Sequence, residues 1–324
     1  MGEAQKYTIV SIEVLAKDIK SEARYLPGAA RFLPTMKNPY SITEPTAISF
    51  SGGRTSAYML WKCIEAHDGK LPNEAVVTFA NTGKEMPQTL DFVQACSEHW
   101  EVDIVWLERF MRPVNTTKEG NKYSYEMKIV DYASASRNGE PFASLTQRPY
   151  LPNPVARFCT KELKVEAIKE YMKSIGAPSP YNCLIGIRAD ETRRAVKIHN
   201  SLGGGQDRYC PLYVDGVTAA DVGRFWKNQP FDLNLPNNNG VTDWGNCDLC
   251  FLKGRSIRMS IIRERPELAD WWAEQEAKVS AGAGRGSQFR ADEPSYAQMK
   301  VIATDQPNLF DFGNDESISC FCGD

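Results

Sequence analysis

The chain has 324 residues, of which 42% are hydrophobic and 24% charged, values typical of a globular protein with one large domain or two ordinary ones. Its formal net charge is −3, which excludes an overall basic field for nucleic acid but not a local basic patch. No apolar run approaches the ~20 residues of a membrane span, and no secretory signal opens the chain. We therefore expect a cytoplasmic protein without a membrane partner.

The first 40 residues mix apolar and charged side chains and contain several prolines. We interpret residues 1–40 as an N-terminal extension and assign it no chemistry. From residue 41 the pattern becomes alternating strand and helix, which indicates an α/β domain over residues 41–202.

The centre of this pattern is a short apolar run, residues 47–50, that enters a Ser-Gly-Gly turn and continues directly as a helical pattern. Two glycines let the backbone approach a ligand, and the first turn of a helix offers N–H groups to a phosphate. The alternative is a glycine-rich turn without a ligand. The candidate phosphate-binding residues are Ser51, Gly52, Gly53, Arg54, Thr55 and Ser56.

Two further buried strands are predicted over residues 73–80 and 103–107, with a helix between them. Strands separated by helices imply a doubly wound parallel sheet, whose ligands bind at the carboxyl ends of the strands. Asn81, Thr82 and Gly83 follow the second strand at such an end, so we expect them to flank a nucleotide. A simple turn is the alternative.

Residues 109–155 show little apolar periodicity and predict an insertion or lid over the strand ends. A further strand is predicted over residues 182–187. Arg188 and Arg194 follow it and are candidate clamps for phosphate or sulfate, because a guanidinium binds such oxygens with two hydrogen bonds. A solvated charge cluster is the alternative.

Three glycines at 203–205 mark the predicted domain boundary, and residues 206–324 predict a smaller, mainly helical, cysteine-bearing region with a flexible tail. One helix begins with a capping-box pattern, Thr218 and Asp221. Two more helices are predicted near residues 255–264 and 266–278.

The motifs at residues 51–56 and 80–87 resemble the PP-loop of the ATP-pyrophosphatase and phosphoadenosine-phosphosulfate (PAPS) reductase superfamily, whose usual loop is SGG-[KR]-D-S. Thr55 stands where many members have aspartate. Residues 188–194 resemble the superfamily's G-x-R-x-x-E-x-x-R element, which implies that Glu191 joins the two arginines at the nucleotide. The resemblance implies an adenine nucleotide α-hydrolase-like fold that binds ATP, or PAPS or APS as substrate.

Nine cysteines without a secretory signal indicate thiols or metal ligands rather than disulfides. Cys247 and Cys250 form a Cys-x-x-Cys half-site, and Cys159 and Cys210 complete four thiolates, the ligand number of a [4Fe–4S] cluster. Structural zinc, a redox dithiol and unligated cysteines are alternatives. Apolar positions predict core cysteines instead at Cys63, Cys96 and Cys183.

The set of four resembles that of cluster-bearing PP-loop proteins of DNA phosphorothioation. Cluster-bearing sulfonucleotide reductases instead have an upstream Cys-Cys pair, of which Phe158 replaces the first member. Cys320 and Cys322 lie in the tail, and a tail cysteine can act as a nucleophile, as in PAPS reductases; incidental tail cysteines are the alternative.

We favour ATP-dependent adenylation followed by sulfur transfer with an iron–sulfur cluster, in which Arg54 stabilises departing pyrophosphate. The alternatives are a sulfonucleotide reductase with a nucleophilic Cys320 or Cys322, and a non-catalytic nucleotide-binding regulator with structural zinc. Sulfur would come from a donor protein or sulfide. A basic run at residues 253–265, with Trp271, Trp272 and Phe289 as stacking candidates, would suit a nucleic-acid acceptor. A solvated helix face and core aromatic residues are the competing interpretation, and no feature indicates an oligomeric state.

Overall fold

A six-stranded sheet organises the main unit of the chain, with the strand order β4-β3-β2-β1-β5-β6. The chain divides into two compact units, residues 1–41 and 42–324, and the sheet belongs to the second. The computed structural model describes residues 38–113, 123–200, 204–238, 240–281 and 286–305. The strands are β1 (Thr46–Phe50), β2 (Ala75–Ala80), β3 (Ile104–Pro113), β4 (Tyr123–Val130), β5 (Tyr181–Ile185) and β6 (Gln206–Tyr209).

Five strands run parallel, and only β4 is antiparallel to its neighbour, β3. With helices in the connections, this is an α/β fold. The chain moves outward from β1 through β2 and β3 to β4 and then returns to the other side of β1 as β5 and β6. The strand order therefore reverses between β1 and β5, the position where open parallel sheets form a crevice at the carboxyl ends of their strands.

Helices connect the strands and form most of the C-terminal region. No helix in the described part of the chain is long and apolar enough to cross a membrane. A π-helical turn, Lys161–Val165, joins the short helix Phe158–Thr160 to the helix Glu166–Ser174. The helices are α1 (Arg54–Glu65), α2 (Pro87–His99), α3 (Glu140–Leu145), α4 (Phe158–Thr160), α5 (Glu166–Ser174), α6 (Thr192–Asn200), α7 (Pro211–Val214), α8 (Ala219–Lys227), α9 (Arg255–Glu264), α10 (Leu268–Ala281) and α11 (Tyr296–Asp305).

Strand β1 is central because it pairs on both edges and is covered on both faces. It hydrogen-bonds to β2 and β5, and Ala47, Ile48 and Phe50 are almost completely buried. A strand buried on both faces contains a continuous apolar run rather than an alternating one, which is how the sequence predicts it. The loop after β1 therefore emerges from the centre of the sheet.

Strand β4 is not among the predicted elements, since residues 109–155 are predicted to be an insertion or lid. Instead β3 continues to Pro113 and pairs with β4 along its length. The signal is present in β4, where Tyr123, Tyr125, Met127 and Ile129 alternate with polar residues. Such alternation is typical of an antiparallel edge strand with one solvated face.

The C-terminal helices pack around aromatic side chains. Phe251, Trp272, Phe289 and Tyr296 are all almost fully buried in one hydrophobic cluster. The predicted capping box of α8 is confirmed, because the Thr218 N–H and hydroxyl both donate to Asp221 Oδ2, at 2.8 and 2.6 Å.

We expect Gly52→Ala to destabilise the fold more than Gly69→Ala. Both glycines have positive φ, 81° and 91°, but an added Cβ at Gly52 would lie 2.6 Å from Thr89 Cγ2, whereas at Gly69 it meets nothing within 4 Å. An alanine in this left-handed backbone conformation lowers the free energy of unfolding by about 1 kcal/mol at either position, and the close contact at Gly52 lowers it by about 1–3 kcal/mol more. Urea denaturation measures both free energies of unfolding. Equal losses in the two variants would contradict the packing argument.

Candidate functional site: the carboxyl ends of the central strands

The loop after β1 is held by hydrogen bonds among its own serines. The Ser51 N–H donates to Ser56 Oγ at 3.1 Å, and that hydroxyl donates to the Gly53 carbonyl at 3.0 Å. Gly52 takes a positive φ that turns the chain sharply into α1. Gly53 is the N-cap of α1 and provides no side-chain cap. The loop thus has the sharp turn expected of a phosphate-binding loop.

Arg54 is engaged in a structural ion pair. Its Nε and Nη2 donate to the two carboxylate oxygens of Asp232 at 2.7 and 2.6 Å, and Nη2 also donates to the Leu235 carbonyl at 3.0 Å. Burial alone would raise the pKa of the Asp232 carboxyl, but hydrogen bonding and charge from Arg54 hold it below its usual value. The guanidinium group of Arg54 therefore connects the start of α1 to the loop at residues 232–235.

The two predicted anion-binding motifs lie next to each other. Arg188 Nη1 donates to Thr55 Oγ1 at 3.0 Å, across the crevice between β1 and β5. Gly186 allows this approach, because an added Cβ would lie 3.0 Å from Ser56 Cα. Glu191 forms ion pairs with both Arg188 and Arg194, so the predicted clamps share one carboxylate.

The turn after β2 is a hydrogen-bonded junction. The Asn81 amide nitrogen donates to Glu108 Oε1 at 2.6 Å, and its oxygen accepts from the Gly83 N–H at 3.0 Å. Thr82 donates from both its N–H and its hydroxyl to Glu85 Oε2. None of the three predicted residues, 81–83, lines the cavity described next.

A cavity of about 490 Å³ lies at the carboxyl ends of the parallel strands, on the sheet face covered by α5. Phe50, Ala80, Ile168 and Ile185 form its apolar walls. Six cations and a single carboxylate, that of Glu166, also line it. The cations are Arg157, Lys161, Lys164, Lys169, Lys197 and Arg208. Apolar walls with an excess of positive charge suit an anionic ligand that has an apolar part.

Of the predicted ligand-binding residues, only Ser51 lines this cavity. Its cations are not among the predicted site residues. The sequence could have predicted some of them, because Arg157, Lys161, Lys164 and Ile168 follow one another at helical spacing, which places them on one face of a helix. All four line the cavity. Lys197 and Arg208 come from α6 and β6, and only the folded chain brings them to the same cavity.

The four predicted metal ligands divide between two hydrophobic clusters. Cys247 and Cys250 are buried in the C-terminal cluster, and Cys159 packs against it. Cys210 instead packs against the cluster formed by Ile187, Ala195 and Ile198. Within the described ranges, no three His, Cys, Asp or Glu side chains converge as metal ligands. The described residues therefore do not assemble the four-thiolate set, and metal binding stays a prediction.

Burial is the main cause of raised thiol pKa values at five of the described cysteines. It raises the pKa of Cys63, Cys183 and Cys210 to about 12 and that of Cys247 well above its usual value. The predicted core cysteines, Cys63, Cys96 and Cys183, are indeed buried. Cys183 lines the cavity as part of its apolar wall. The tail cysteines, Cys320 and Cys322, lie outside the described residues.

The aromatic residues beside the basic run are largely core residues. Trp272 and Phe289 are fully buried, and so is Arg258, which pairs with Glu293. Trp271 is partly buried, with Lys84 Nζ 4.7 Å from its ring centroid. Trp272 and Phe289 therefore have no exposed face on which a base could stack, and the core interpretation holds for them.

No family model matches the chain, but comparison with known proteins finds a relative. An Escherichia phage lambda protein, described as uncharacterized nin region protein ORF290, is 31% identical over 207 residues. The match covers 64% of this chain and 65% of that protein, just under two thirds of its length. Its name records no activity.

We expect the Arg54–Asp232 pair to stabilise the fold in a pH-dependent way. A carboxylate whose pKa is lowered on folding contributes its full stabilisation above the unfolded-state pKa, near 4, and loses it as pH falls through the folded-state value. Asp232→Asn should lower the free energy of unfolding by about 1–2 kcal/mol at pH 7, discounted because Asp232 is one-third exposed.

That difference should stay constant down to about pH 5 and shrink below pH 4. Urea denaturation across this range measures it. Asp270→Asn, which removes an exposed pair with Lys300, is the control and should cost less than about 0.5 kcal/mol. A difference that grows on acidification would contradict the assignment.

The cysteine geometry gives a testable prediction for metal content. After anaerobic purification, we expect Cys247→Ala and Cys250→Ala to lower the content of bound iron or zinc. Both cysteines are buried in the same hydrophobic cluster, so their thiolates can bind one metal centre. Cys210→Ala should leave the metal content unchanged, since Cys210 packs elsewhere. Cys96→Ala is the matched core control. Equal losses of iron in the Cys210→Ala and Cys247→Ala variants would favour the four-cysteine hypothesis. They would also mean that Cys210 lies closer to Cys247 than in this structure.

Proposed function

We propose that this chain is an adenine-nucleotide-binding enzyme of the PP-loop type, built on a doubly wound, adenine nucleotide α-hydrolase-like sheet. The cavity carries the proposal: it lies where the strand order reverses, and six cations line it against one carboxylate. Its size is in the range of small-ligand sites, and its apolar walls suit a base and ribose while the cations suit phosphates.

The adjacent motifs support the same assignment. Ser51 begins the loop after β1 and lines the cavity, and the hydrogen bond from Arg188 to Thr55 joins the second motif to this loop. Helix α1 begins directly after Gly53, so its first N–H groups add a positive end to the same region. Loop, helix start and cations together form a positive environment for phosphates.

The favoured reaction is cleavage of ATP between the α- and β-phosphates. An acceptor oxygen attacks the α-phosphorus, pyrophosphate leaves, and sulfur then displaces AMP from the adenylate. Because Arg54 is paired with Asp232, we assign the charge on departing pyrophosphate to the cavity lysines, foremost Lys161 and Lys164. The sulfur-transfer step stays a prediction from the cysteines.

We expect Lys161→Ala and Lys197→Ala each to weaken ATP binding about tenfold, the effect of losing one charge-assisted contact. These lysines line the cavity from different elements, so an equal effect would locate the phosphates between them. Lys173→Ala, at an exposed position on α5 outside the cavity, is the control and should bind ATP normally. Calorimetric titration measures the affinities, and unchanged binding in both cavity variants would overturn the site.

A pyrophosphate-release assay then distinguishes the reactions. Release from ATP that persists after truncation before Cys320 supports adenylation, since no thiol attack precedes that step. Sulfite formed from PAPS, lost on the same truncation, with no pyrophosphate from ATP, would establish the reductase alternative. Binding without either product would establish a non-catalytic role.

A further inference from the structure

Three cavity cations come from one helical segment, and that segment contains the π-helical turn Lys161–Val165. A π turn holds about one residue more than an α turn, so closing it would rotate the following side chains by about 100° around the helix axis. Lys161 and Lys164 lie within the turn, and both line the cavity. The direction of their ammonium groups therefore depends on the wider geometry of the turn.

Arg109 of β3 contacts this turn without lining the cavity. Its Nη1 donates to the Glu162 carboxylate at 2.8 Å and to the Glu162 backbone carbonyl at 3.2 Å. A carbonyl in a widened turn is displaced from the N–H four residues later, so a donor from outside the helix can satisfy it. Nε of Arg109 also donates to Glu170 Oε2 on α5 at 3.0 Å. One guanidinium thus spans the π turn and the helix after it.

The surroundings of Arg109 fix its position. Its guanidinium carbon lies 3.9 Å from the centroid of the Tyr125 ring on β4, and its side chain is 11% exposed. Glu162 also lies 3.8 Å from Lys161 Nζ. Arg148 Nη2 lies 3.8 Å from the same Glu162 oxygen, so Arg109 and Arg148 together offset the charge of Glu162. Without Arg109, the Glu162 carboxylate would compete more strongly with an anionic ligand for Lys161.

We propose that Arg109 is a positioning residue for anion binding: it holds the π turn open and, with Arg148, neutralises Glu162, so that Lys161 and Lys164 face the cavity. The inference rests on the proposed function for its ligand, the phosphate groups of an adenine nucleotide. It makes the antiparallel pair of β3 and β4, which supplies both Arg109 and Tyr125, a determinant of nucleotide affinity at a distance from the ligand.

The experiment uses the full chain with Arg109→Gln, and Arg109→Lys as the conservative variant. Arg112→Gln is the matched control, because Arg112 is an exposed arginine on the same strand, paired with Glu126. Hydrogen exchange at residues 161–166, measured without ligand, reports on the π turn. Calorimetric titration with ATP reports on the cavity, in the unsubstituted background and in a Lys161→Ala, Lys164→Ala background.

We expect faster exchange at residues 161–166 and about tenfold weaker ATP binding in Arg109→Gln, with neither change in Arg112→Gln. Arg109→Lys should recover part of the affinity, since one ammonium can still reach Glu162. In the background without the two lysines, Arg109→Gln should change ATP affinity by less than about twofold.

Unchanged exchange in the turn would overturn the positioning role, and so would an equal loss of affinity in both backgrounds. ATP that fails to bind the unsubstituted protein would overturn the proposed function and, with it, the role in anion binding. The exchange measurement needs no ligand, so the two failures are distinguishable.

Discussion

The buried carboxylate of Glu85 is the interaction on which the arrangement of the site most depends. Its side chain is fully buried, and Oε2 accepts hydrogen bonds from the Thr82 N–H, the Thr82 hydroxyl and the Lys84 N–H. Its other oxygen lies 3.6 Å from Lys164 Nζ in the cavity wall. A buried charge is tolerated only when such partners compensate its lost hydration. One carboxylate therefore connects the turn after β2 with the cavity.

The same junction attaches the C-terminal helices to the sheet. Glu85 forms a backbone bridge with Cys247, and the Asp248 N–H donates to the Lys84 carbonyl at 2.7 Å. Lys84 and Asp248 also form a buried ion pair of 2.9 Å. Because removing one partner of a buried pair costs far more than the pair contributes, these contacts favour a single mutual arrangement. The adjacent residues Lys84 and Glu85 thus contact both the cavity wall, through Lys164, and the turn that contains Cys247.

Sequence patterns predict the framework of this fold better than its site. Apolar runs locate β1, β2, the first half of β3 and β5, and the turn residues after β1 and β5 do meet, through Arg188 and Thr55. Strand β4 is not predicted from the sequence, because its alternating apolar residues directly follow the polar stretch at residues 115–122. Apolar runs and turn residues are patterns of neighbouring positions in the chain, so they predict which segments are buried and where the chain turns.

The partners of charged residues are not local, which is why the site differs from expectation. Arg54 and Asp232 are 178 positions apart, and nothing near Arg54 in the chain indicates that its fork is already engaged. The cavity cations come from the N-cap of α4, the π turn, α5, α6 and β6. Cys210 is predicted as the fourth thiolate ligand, yet its position after β6 places it against the cluster that contains Ile187 rather than beside Cys247.

The order of strands in the sheet also affects how the chain is made. β2 is the next strand after β1 in the chain, so the two can pair early in synthesis, whereas β5, the partner of the other edge of β1, follows β3, β4 and the π-helical segment. Until β5 is made, the second edge of β1, a strand that is largely buried in the finished protein, is a template for pairing with other chains. The pairing of β1 with β5 is thus possible only after β4 and α5 have been made, which leaves this edge open to other chains for longer than the edge that β2 covers.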